Sequence, residues 1–246
     1  MKVVIPAAGA GVRFKKEGFT LPKELLPLGG KPLIAHALAE AKRAGFDSAI
    51  VVVSPSKKTV QQYLSRSAPP LPIEFVTQPT PLGIGDAVLR SWQGEAMGVL
   101  LPDDVVLETL HWTDLIDLYQ RTGAATLCVR PVPMETTSRF GIVECDGDQA
   151  VRVIEKPGPG ATSSNLAIFG RYVATESVIS GLNLSSGDRE LELTEGFAWA
   201  LKAGPGVRAI PFMKEIFDCG TPSEYARSMG RFPDATPKSD VPRSKT

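Results

Sequence analysis

A loop made only of alanine and glycine follows the first apolar segment of the chain. Val3–Ile5 has the composition of a buried parallel strand, and Ala7–Gly11 comes directly after Pro6. Small residues let main-chain N–H groups approach an anion closely, and two cations, Arg13 and Lys23, follow the loop. This pattern predicts a phosphate-binding cradle. The alternative is an ordinary strand-to-loop junction, where small residues are also common.

Two phosphate-binding motifs are excluded for this loop. The Walker A motif ends in Gly-Lys-Ser/Thr, whereas this loop continues as Gly11-Val12-Arg13. The dinucleotide fingerprint needs a third glycine at the start of a helix, and Phe14 stands there. The cradle therefore belongs to another phosphate chemistry.

A pair of carboxylates at the end of an apolar segment is the second chemical feature. Gly98–Leu101 has the composition of a buried strand, and Asp103 and Asp104 follow it. Open α/β sheets bind ligands at the carboxyl ends of their strands, where a carboxylate can hold Mg²⁺ that bridges nucleotide phosphates. The alternative is a cap on the helix that follows.

A loop that carries an amide and two glycines lies between these features. Gln78, Gly83 and Gly85 precede a helix that we expect to continue through Trp92. An amide can pair with the donor–acceptor edge of a pyrimidine, and glycine lets the backbone approach a flat base. Taken alone, the segment is more simply interpreted as a glycine-rich turn.

The elements that must position these residues alternate between strand and helix in the first half of the chain. The expected strands there are 3–5, 50–53, 73–76 and 98–101, and the expected helices are 33–41 and 57–64. This βαβ order predicts a parallel sheet with right-handed crossovers. After a helix at 113–121, strands at 125–131, 141–144 and 151–154 predict an antiparallel extension laid against that sheet.

The composition excludes several classes of protein. Lys+Arg and Asp+Glu are both 27, so there is no overall positive field that would attract nucleic acid or an anionic membrane. The three cysteines are far apart and match no metal or redox spacing, which predicts a reducing, cytoplasmic location. We expect no signal peptide and no membrane span.

Several motifs together resemble one enzyme family. G-x-G-x-R over 9–13 and P-K-E-x-L-P-x-x-x-K-P-L-I over 22–34 are similar to the signature of sugar-1-phosphate nucleotidyltransferases, and most similar to bacterial UTP–glucose-1-phosphate uridylyltransferases. The loop 78–88 resembles the base-binding loop of that family. The segments 138–143, 154–157, 164–172 and 217–222 also match, in the same order.

The resemblance implies a fold and a division of the chain. The implied fold is an α/β three-layer sandwich with a Rossmann-like, mixed but mainly parallel sheet, as in nucleotide-diphospho-sugar transferases. Residues 1–229 would form one domain, with a nucleotide-binding half at 1–105 and a sugar-phosphate-binding half at 106–229. Residues 230–246 are polar and proline-rich, and we expect them to form a disordered tail.

The resemblance also implies an Mg²⁺-assisted reaction between a nucleoside triphosphate and a sugar 1-phosphate. The implied catalytic residues are Arg13, Lys23 and Lys156, and the implied metal ligands are Asp103 and Asp218. The implied nucleotide-binding residues are Ala8, Gly9, Gly11, Glu24, Gln78 and Gly83. The implied sugar-binding residues are Gly141, Glu155, Lys156 and Asn165. Without the resemblance, Glu155 and Lys156 would be interpreted as a solvated surface pair. A homodimer or homotetramer is expected.

Two alternatives stay open at this point. A thymidylyl- or cytidylyltransferase that acts on another sugar phosphate would keep the same cradle and metal pair. A catalytically silent protein that senses nucleotide sugars would need only binding residues, and the joint presence of the five implied charged residues argues against it. Two positions depart from the family pattern: Leu82, where many relatives have lysine, and Val12, where relatives have threonine or serine.

Overall fold

A nine-stranded sheet forms the centre of the computed structural model, which describes residues 1–187 and 189–233. The strands are β1 (Lys2–Pro6), β2 (Pro27–Leu28), β3 (Lys31–Pro32), β4 (Ser48–Val53), β5 (Ile73–Thr77), β6 (Met97–Leu100), β7 (Asp104–Val105), β8 (Ala125–Pro131), β9 (Gly141–Asp146), β10 (Gln149–Glu155), β11 (Leu166–Ala174), β12 (Val207–Pro211) and β13 (Phe217–Asp218). The helices are α1 (Val12–Lys16), α2 (Leu33–Arg43), α3 (Lys58–Arg66), α4 (Gly83–Arg90), α5 (Leu110–Thr122), α6 (Glu176–Ser185), α7 (Leu193–Ala200) and α8 (Pro222–Arg231). Short 3₁₀ turns lie at Lys23–Leu25 and Met134–Arg139.

The strand order in the sheet is β5-β4-β1-β6-β11-β8-β12-β10-β9. β5, β4, β1 and β6 pair in parallel, as the βαβ pattern predicted. β10 and β11 run against all their neighbours, so the sheet is mixed, and the other seven of its nine strands share one direction. Strands β8 to β12 of the second half are hydrogen-bonded into this same sheet, whereas β13 pairs with β7 in a separate two-stranded ladder. Strands β8 to β12 extend the nine-stranded sheet at its edge and do not pack against its face.

Helices cover both faces of the sheet because successive strand residues point to opposite sides. In β1, Val4 packs into one core with α4, α6 and α7, while Val3 and Ile5 pack into another with α2, α3 and α5. All three residues have no exposed surface. The three-layer α/β sandwich predicted from the sequence is thereby confirmed.

The end of the described chain belongs to the folded domain. α8 extends to Arg231, and the ring of Phe232 packs edge-on against Phe217 at 4.8 Å and His36 at 5.3 Å between ring centres. Of the residues 230–233, which the sequence placed in the tail, Gly230 and Arg231 belong to α8 and Phe232 packs into a small apolar cluster. The remainder of the predicted tail, 234–246, lies outside the described residues.

Two further expectations from the sequence concern the cysteines and membrane-spanning helices. Cys128, Cys145 and Cys219 are all unpaired thiols. Among the described residues, no helix has the length and apolar character needed to cross a bilayer.

Candidate active site

A continuous cleft lies at the carboxyl ends of the central strands, next to the loops that follow β1 and β6. It consists of a larger cavity of about 620 Å³ and a smaller cavity of about 410 Å³. The two cavities share five lining residues: Arg13, Leu101, Asp103, Arg139 and Lys156. The cleft is where an open α/β sheet is expected to bind ligands.

The small-residue loop forms one wall of the larger cavity. Ala7 closes it onto the sheet, because its N–H donates to the carbonyl of Val52 at 2.8 Å. Gly11 has a φ of 64°, and a Cβ placed on Gly9 or Gly11 would meet no atom within 4 Å. The open side of the loop therefore faces the cavity, and Ala8, Arg13 and Lys23 line the cavity with it. The short helix α1 begins directly after Gly11.

A buried ion pair contacts the backbone of this loop at Ala7. Lys57 donates to both carboxylate oxygens of Glu24, at 2.8 and 2.7 Å, and to the carbonyl of Ala7 at 3.1 Å. Burial lowers the pKa of Lys57, although the neighbouring Glu24 opposes the shift. Glu24, which the resemblance assigned to nucleotide binding, borders the cavity, but its carboxylate is committed to Lys57. Sequence reasoning missed Lys57 because it lies 33 residues from its partner.

The amide of Gln78 has a fixed orientation. Its nitrogen donates to the carbonyl of Gly83 at 3.0 Å and to Oδ2 of Asp86 at 2.8 Å. Both partners are pure acceptors, so the nitrogen must point at them, and the carbonyl oxygen is the group left to face the cavity. Asp86 is itself held by Arg90 at 2.7 Å.

Glycine is required at position 83 by its surroundings. Its φ is 89°, and a Cβ there would lie 2.5 Å from the carbonyl oxygen of Leu191. The backbone of Leu191 donates to Leu82 and accepts from Gly85, both at 2.8 Å. The segment 190–192 is therefore fixed to the Gln78 loop, and it brings Glu190 and Glu192 to the cavity wall.

Carboxylates from three segments converge on the smaller cavity. Asp103 and Asp104 follow β6, and Asp218 in β13 pairs with Asp104 across a two-stranded ladder. A Cβ on Gly220 would lie 3.2 Å from Oδ1 of Asp218 and 3.7 Å from Oδ2 of Asp103. The two acids that the sequence predicted as metal ligands thus lie within 4 Å of one position. Glu224 of α8 lines the cavity beside them.

The crowding of these acids changes their ionisation. Burial, with the charges of Asp218 and Asp103, raises the pKa of Asp104 to about 7. Burial also raises the pKa of Asp218, and the charges of Glu224 and Asp103 add to the shift. Burial would raise the pKa of Asp103 too, but the adjacent ammonium of Lys23 outweighs it and the pKa is lowered. Added positive charge would relieve this repulsion.

Lys23 lies between the cradle and the acids. Its ammonium is 2.6 Å from Oδ2 of Asp103. Burial alone would lower the pKa of Lys23, but Asp103 and Glu24 raise it, so the side chain carries its full charge. The cation thus lies where it can contact an anion in the larger cavity while it neutralises an acid of the smaller one.

Lys156 stands where the two cavities meet. Its backbone has a φ of 43°, in the left-handed region that non-glycine residues rarely adopt. The ammonium lies 2.8 Å from Glu155 and 2.6 Å from Glu192. Burial would lower the pKa of Lys156, yet the hydrogen bonds to both carboxylates raise it.

The remaining predicted sugar-binding residues lie farther from the cleft. Glu155 accepts a hydrogen bond from Thr194 at 2.8 Å, and a Cβ on Gly141 would lie 3.3 Å from its carboxylate, so these residues surround Lys156. Asn165 does not join them. Its side chain donates to the carbonyl of Val132 at 3.0 Å and fixes the end of β8.

Two arginines of the smaller cavity were not selected from the sequence. Arg130 lies 3.7 Å from Asp218, and Arg139 pairs with Glu224. Both guanidinium groups flank the ring of Phe140, at 5.7 and 5.3 Å from its centre. Arg139 belongs to the segment 138–143 that matched the family, so the sequence could have identified it as a candidate site residue. No pattern in the sequence connects Arg130 with Asp218.

A divalent cation fits the pair of acids at Gly220. Among residues 1–187 and 189–233, no group of three or more His, Cys, Asp or Glu side chains surrounds one metal position. Mg²⁺, however, is commonly held by one or two carboxylates while substrate phosphates and water complete its shell. Asp103 and Asp218 supply such a pair, and a cation between them would offset the repulsion that contributes to the raised pKa of Asp218.

Comparisons with known proteins identify the family of the chain. A family profile described as nucleotidyl transferase matches residues 2–232. The UTP–glucose-1-phosphate uridylyltransferase of Bacillus subtilis (strain 168) is 35% identical over 209 residues, which cover 72% of this chain and 71% of that protein. The enzyme of the same name from Staphylococcus epidermidis (strain ATCC 12228) is 30% identical over 89% of this chain and 87% of its own length.

Solved structures share the fold over nearly the whole chain. A UDP-glucose pyrophosphorylase complexed with UDP-glucose superimposes with a TM-score of 0.82 at 25% identity, covering 93% of this chain and 97% of the other. A UTP-bound enzyme from Acinetobacter baumannii superimposes with a TM-score of 0.81 at 27% identity, covering 96% and 94%.

Proposed function

Because the chain belongs to the nucleotidyltransferase family, as its motifs predicted, we propose that it forms UDP-glucose and pyrophosphate from UTP and glucose 1-phosphate. One observation carries the proposal: a single cleft joins a cradle with Arg13 and Lys23, an acid pair, and Lys156. The larger cavity is assigned to the nucleotide and the smaller one, with Lys156, to the sugar phosphate.

The proposed reaction is an in-line displacement at phosphorus. A phosphate oxygen of glucose 1-phosphate attacks the α-phosphorus of UTP, a new P–O bond forms, and the bond to the β-phosphate breaks. Pyrophosphate leaves with the electron pair. The attacking oxygen is already ionised near neutral pH, so no protein nucleophile or general base is required. Catalysis then rests on positioning and on neutralisation of charge.

The cations divide this work by position. Main-chain N–H groups of the loop 8–11 and the side chain of Arg13 hold the triphosphate, and Lys23 neutralises the charge that grows on the departing pyrophosphate. Lys156 holds the phosphate of the sugar, while Glu155 pairs with that lysine and Gly141 packs beside Glu155. Asp103 and Asp218 would hold Mg²⁺, which supplies charge stabilisation to the phosphates when it is bound.

The orientation of Gln78 suits a base that carries a hydrogen on N3, the ring nitrogen of its pairing edge. Both hydrogens of the amide are used by Gly83 and Asp86, so the side chain offers only an acceptor. Uracil and thymine can donate N3–H to it, whereas N3 of cytosine is an acceptor and only the exocyclic N4 amino group of cytosine can donate. For a base held with N3 opposite the Gln78 oxygen, the arrangement therefore favours uridylyl or thymidylyl transfer over cytidylyl transfer.

A screen of pyrophosphate release tests the proposal. UTP, CTP, ATP, GTP and dTTP are each combined with glucose 1-phosphate and several other sugar 1-phosphates, with and without Mg²⁺. We expect the highest kcat/KM for UTP with glucose 1-phosphate and no turnover in EDTA. Preference for dTTP would reassign the base. Absence of turnover for every pair, with folded protein, would instead indicate a nucleotide-sugar sensor.

A further inference from the structure

A fully buried cation, Arg171 of β11, takes no part in the steps proposed above. Its side chain has no exposed surface. Two of its nitrogens bind the carboxylate of Glu40 in α2, at 2.6 and 2.7 Å, and Glu40 is itself only 1% exposed. Trp112 and His111 also contact Glu40, at 2.8 and 3.3 Å. The carboxylate is thus held from several sides and cannot move with the guanidinium.

The remaining donors of Arg171 bind main-chain carbonyls beside an acid of the cleft. Nη1 donates to Leu101 at 3.1 Å and to Gly170 at 3.0 Å, and Nη2 donates to Asp104. Leu101 and Asp104 are the residues on either side of the Pro102-Asp103 pair. The backbone carbonyl of Asp103 in turn accepts from the N–H of Cys219 at 2.7 Å, next to Asp218.

From these contacts we infer that Arg171, held by Glu40, is a positioning residue that fixes the segment 101–104 and thereby places the carboxylate of Asp103 for the divalent cation. The inference rests on the proposed function, since it assumes that Asp103 and Asp218 are the metal ligands. The same contacts connect α2, through Glu40 and Arg171, to the segment that carries Asp103.

A purely structural role would not need an arginine in this position. A buried ion pair can often be replaced by well-packed neutral residues without loss of stability. Lysine could keep the charge but has no planar fork, so it cannot bind the Glu40 carboxylate in two places and also reach the carbonyls of Leu101 and Asp104. The specific feature of Arg171 is its hold on those two carbonyls.

Direct metal binding tests the inference without reference to turnover. Mn²⁺ alone is titrated into the full chain, and free Mn²⁺ is followed by its electron paramagnetic resonance signal. The variants are Arg171→Lys and the neutral double variant Glu40→Gln/Arg171→Met, which leaves acceptors for Trp112 and His111. Leu64→Ala, which truncates a buried side chain of α3, is the control for loss of stability.

Residues that orient metal ligands typically change metal affinity about 10- to 100-fold. We expect both variants to raise the Kd for Mn²⁺ at least about tenfold, and Leu64→Ala to change it less than about twofold. If Arg171→Lys does not fold, the double variant decides. Binding by a folded variant that equals the wild type would overturn the inference, as would a wild type that does not bind Mn²⁺.

Turnover separates this inference from the proposed function. If the wild type binds Mn²⁺ and the variants do not, but no substrate pair releases pyrophosphate, the function is wrong and the positioning role stands. If the wild type turns over and the variants show an unchanged Mg²⁺ concentration for half-maximal rate, the function stands and the positioning role is wrong.

Discussion

The ammonium of Lys23 lies 2.6 Å from Oδ2 of Asp103, so a cation of the cradle segment neutralises an acid assigned to the metal. The two side chains are 80 residues apart in the chain, and both line the larger cavity. A divalent cation that binds Asp103 would take over this neutralisation and free Lys23 for phosphate. Nucleotide and metal should therefore assist each other's binding.

Removal of either acid charge should abolish most of the rate. Asp103→Asn and Asp218→Asn are each expected to lower kcat at least about a hundredfold, since charge stabilisation by a metal is worth several kcal/mol. Pyrophosphate release and thermal unfolding are measured in parallel. Asp114→Asn, on the exposed surface of α5, is the matched control and should behave as wild type. Near-normal turnover of either acid variant at limiting Mg²⁺ would remove that residue from the metal site.

The two lysines of the cleft should differ in their kinetic effects. Lys156→Ala is expected to raise KM for glucose 1-phosphate more than KM for UTP, because the proposed role of Lys156 is to hold the ground-state phosphate of the sugar. Lys23→Ala should mainly lower kcat, because charge grows on the leaving pyrophosphate. Each substrate is varied in turn, with exposed Lys202→Ala as control. An effect of Lys156→Ala on KM for UTP alone would contradict the assignment of the two cavities.

Ionisation of Asp104 should destabilise the metal-free protein. Its pKa is raised from 3.8 to about 7, so the folded state keeps a proton that the unfolded chain releases. The free energy of unfolding therefore falls as the pH rises from about 4 to about 7, and the loss is complete above that range. Asp104→Asn should therefore raise Tm in EDTA clearly at pH 8 and much less at pH 5. An equal gain at both pH values would show that the pKa is not raised.

Release of the Gln78 amide should weaken base selection. Asp86→Ala removes one of the two acceptors that fix the nitrogen of the amide, so the side chain could turn and offer a donor. We expect the ratio of kcat/KM for UTP to that for CTP to fall about tenfold. This corresponds to a loss of roughly 1.4 kcal/mol in discrimination between the two bases. Arg90→Ala should give a smaller change in the same direction. An unaltered ratio would mean that Gln78 does not contact the base.

The apolar contacts of Phe232 should contribute to stability. Buried Phe→Ala substitutions cost about 3–5 kcal/mol, and for this partly exposed ring we expect about 2 kcal/mol, or roughly 5 °C in Tm. Met229→Ala, at a 53% exposed position of α8, is the control and should change Tm little.

A chain that ends at Pro233 should keep both its Tm and its turnover. If it does not, the polar residues beyond that point contribute to the fold or the site.

Local patterns predicted most of the fold and the main walls of the cleft. The strand 125–131 has the predicted bounds, and the cradle, Gln78 and both acids lie at strand ends, where hydrophobic periodicity and small residues are informative. The sequence could not predict pairs that depend on the tertiary fold. Glu40 and Arg171 are 131 residues apart, and each alone looks like a surface charge. Phe232 was misplaced because a single aromatic residue gives no periodic signal.

The position of β11 has a consequence for how the chain folds. This strand pairs with β6 of the first half and with β8 and β9 of the second. Leu100 of β6 must therefore pair with Arg171, which lies 71 residues later in the chain. Such distant pairing makes folding slow. Until β11 arrives during synthesis, β6 is an unprotected edge that can recruit strands of other chains. A nascent or truncated protein that ends before β11 should therefore aggregate, and the first half will not be obtained as an independent soluble fragment.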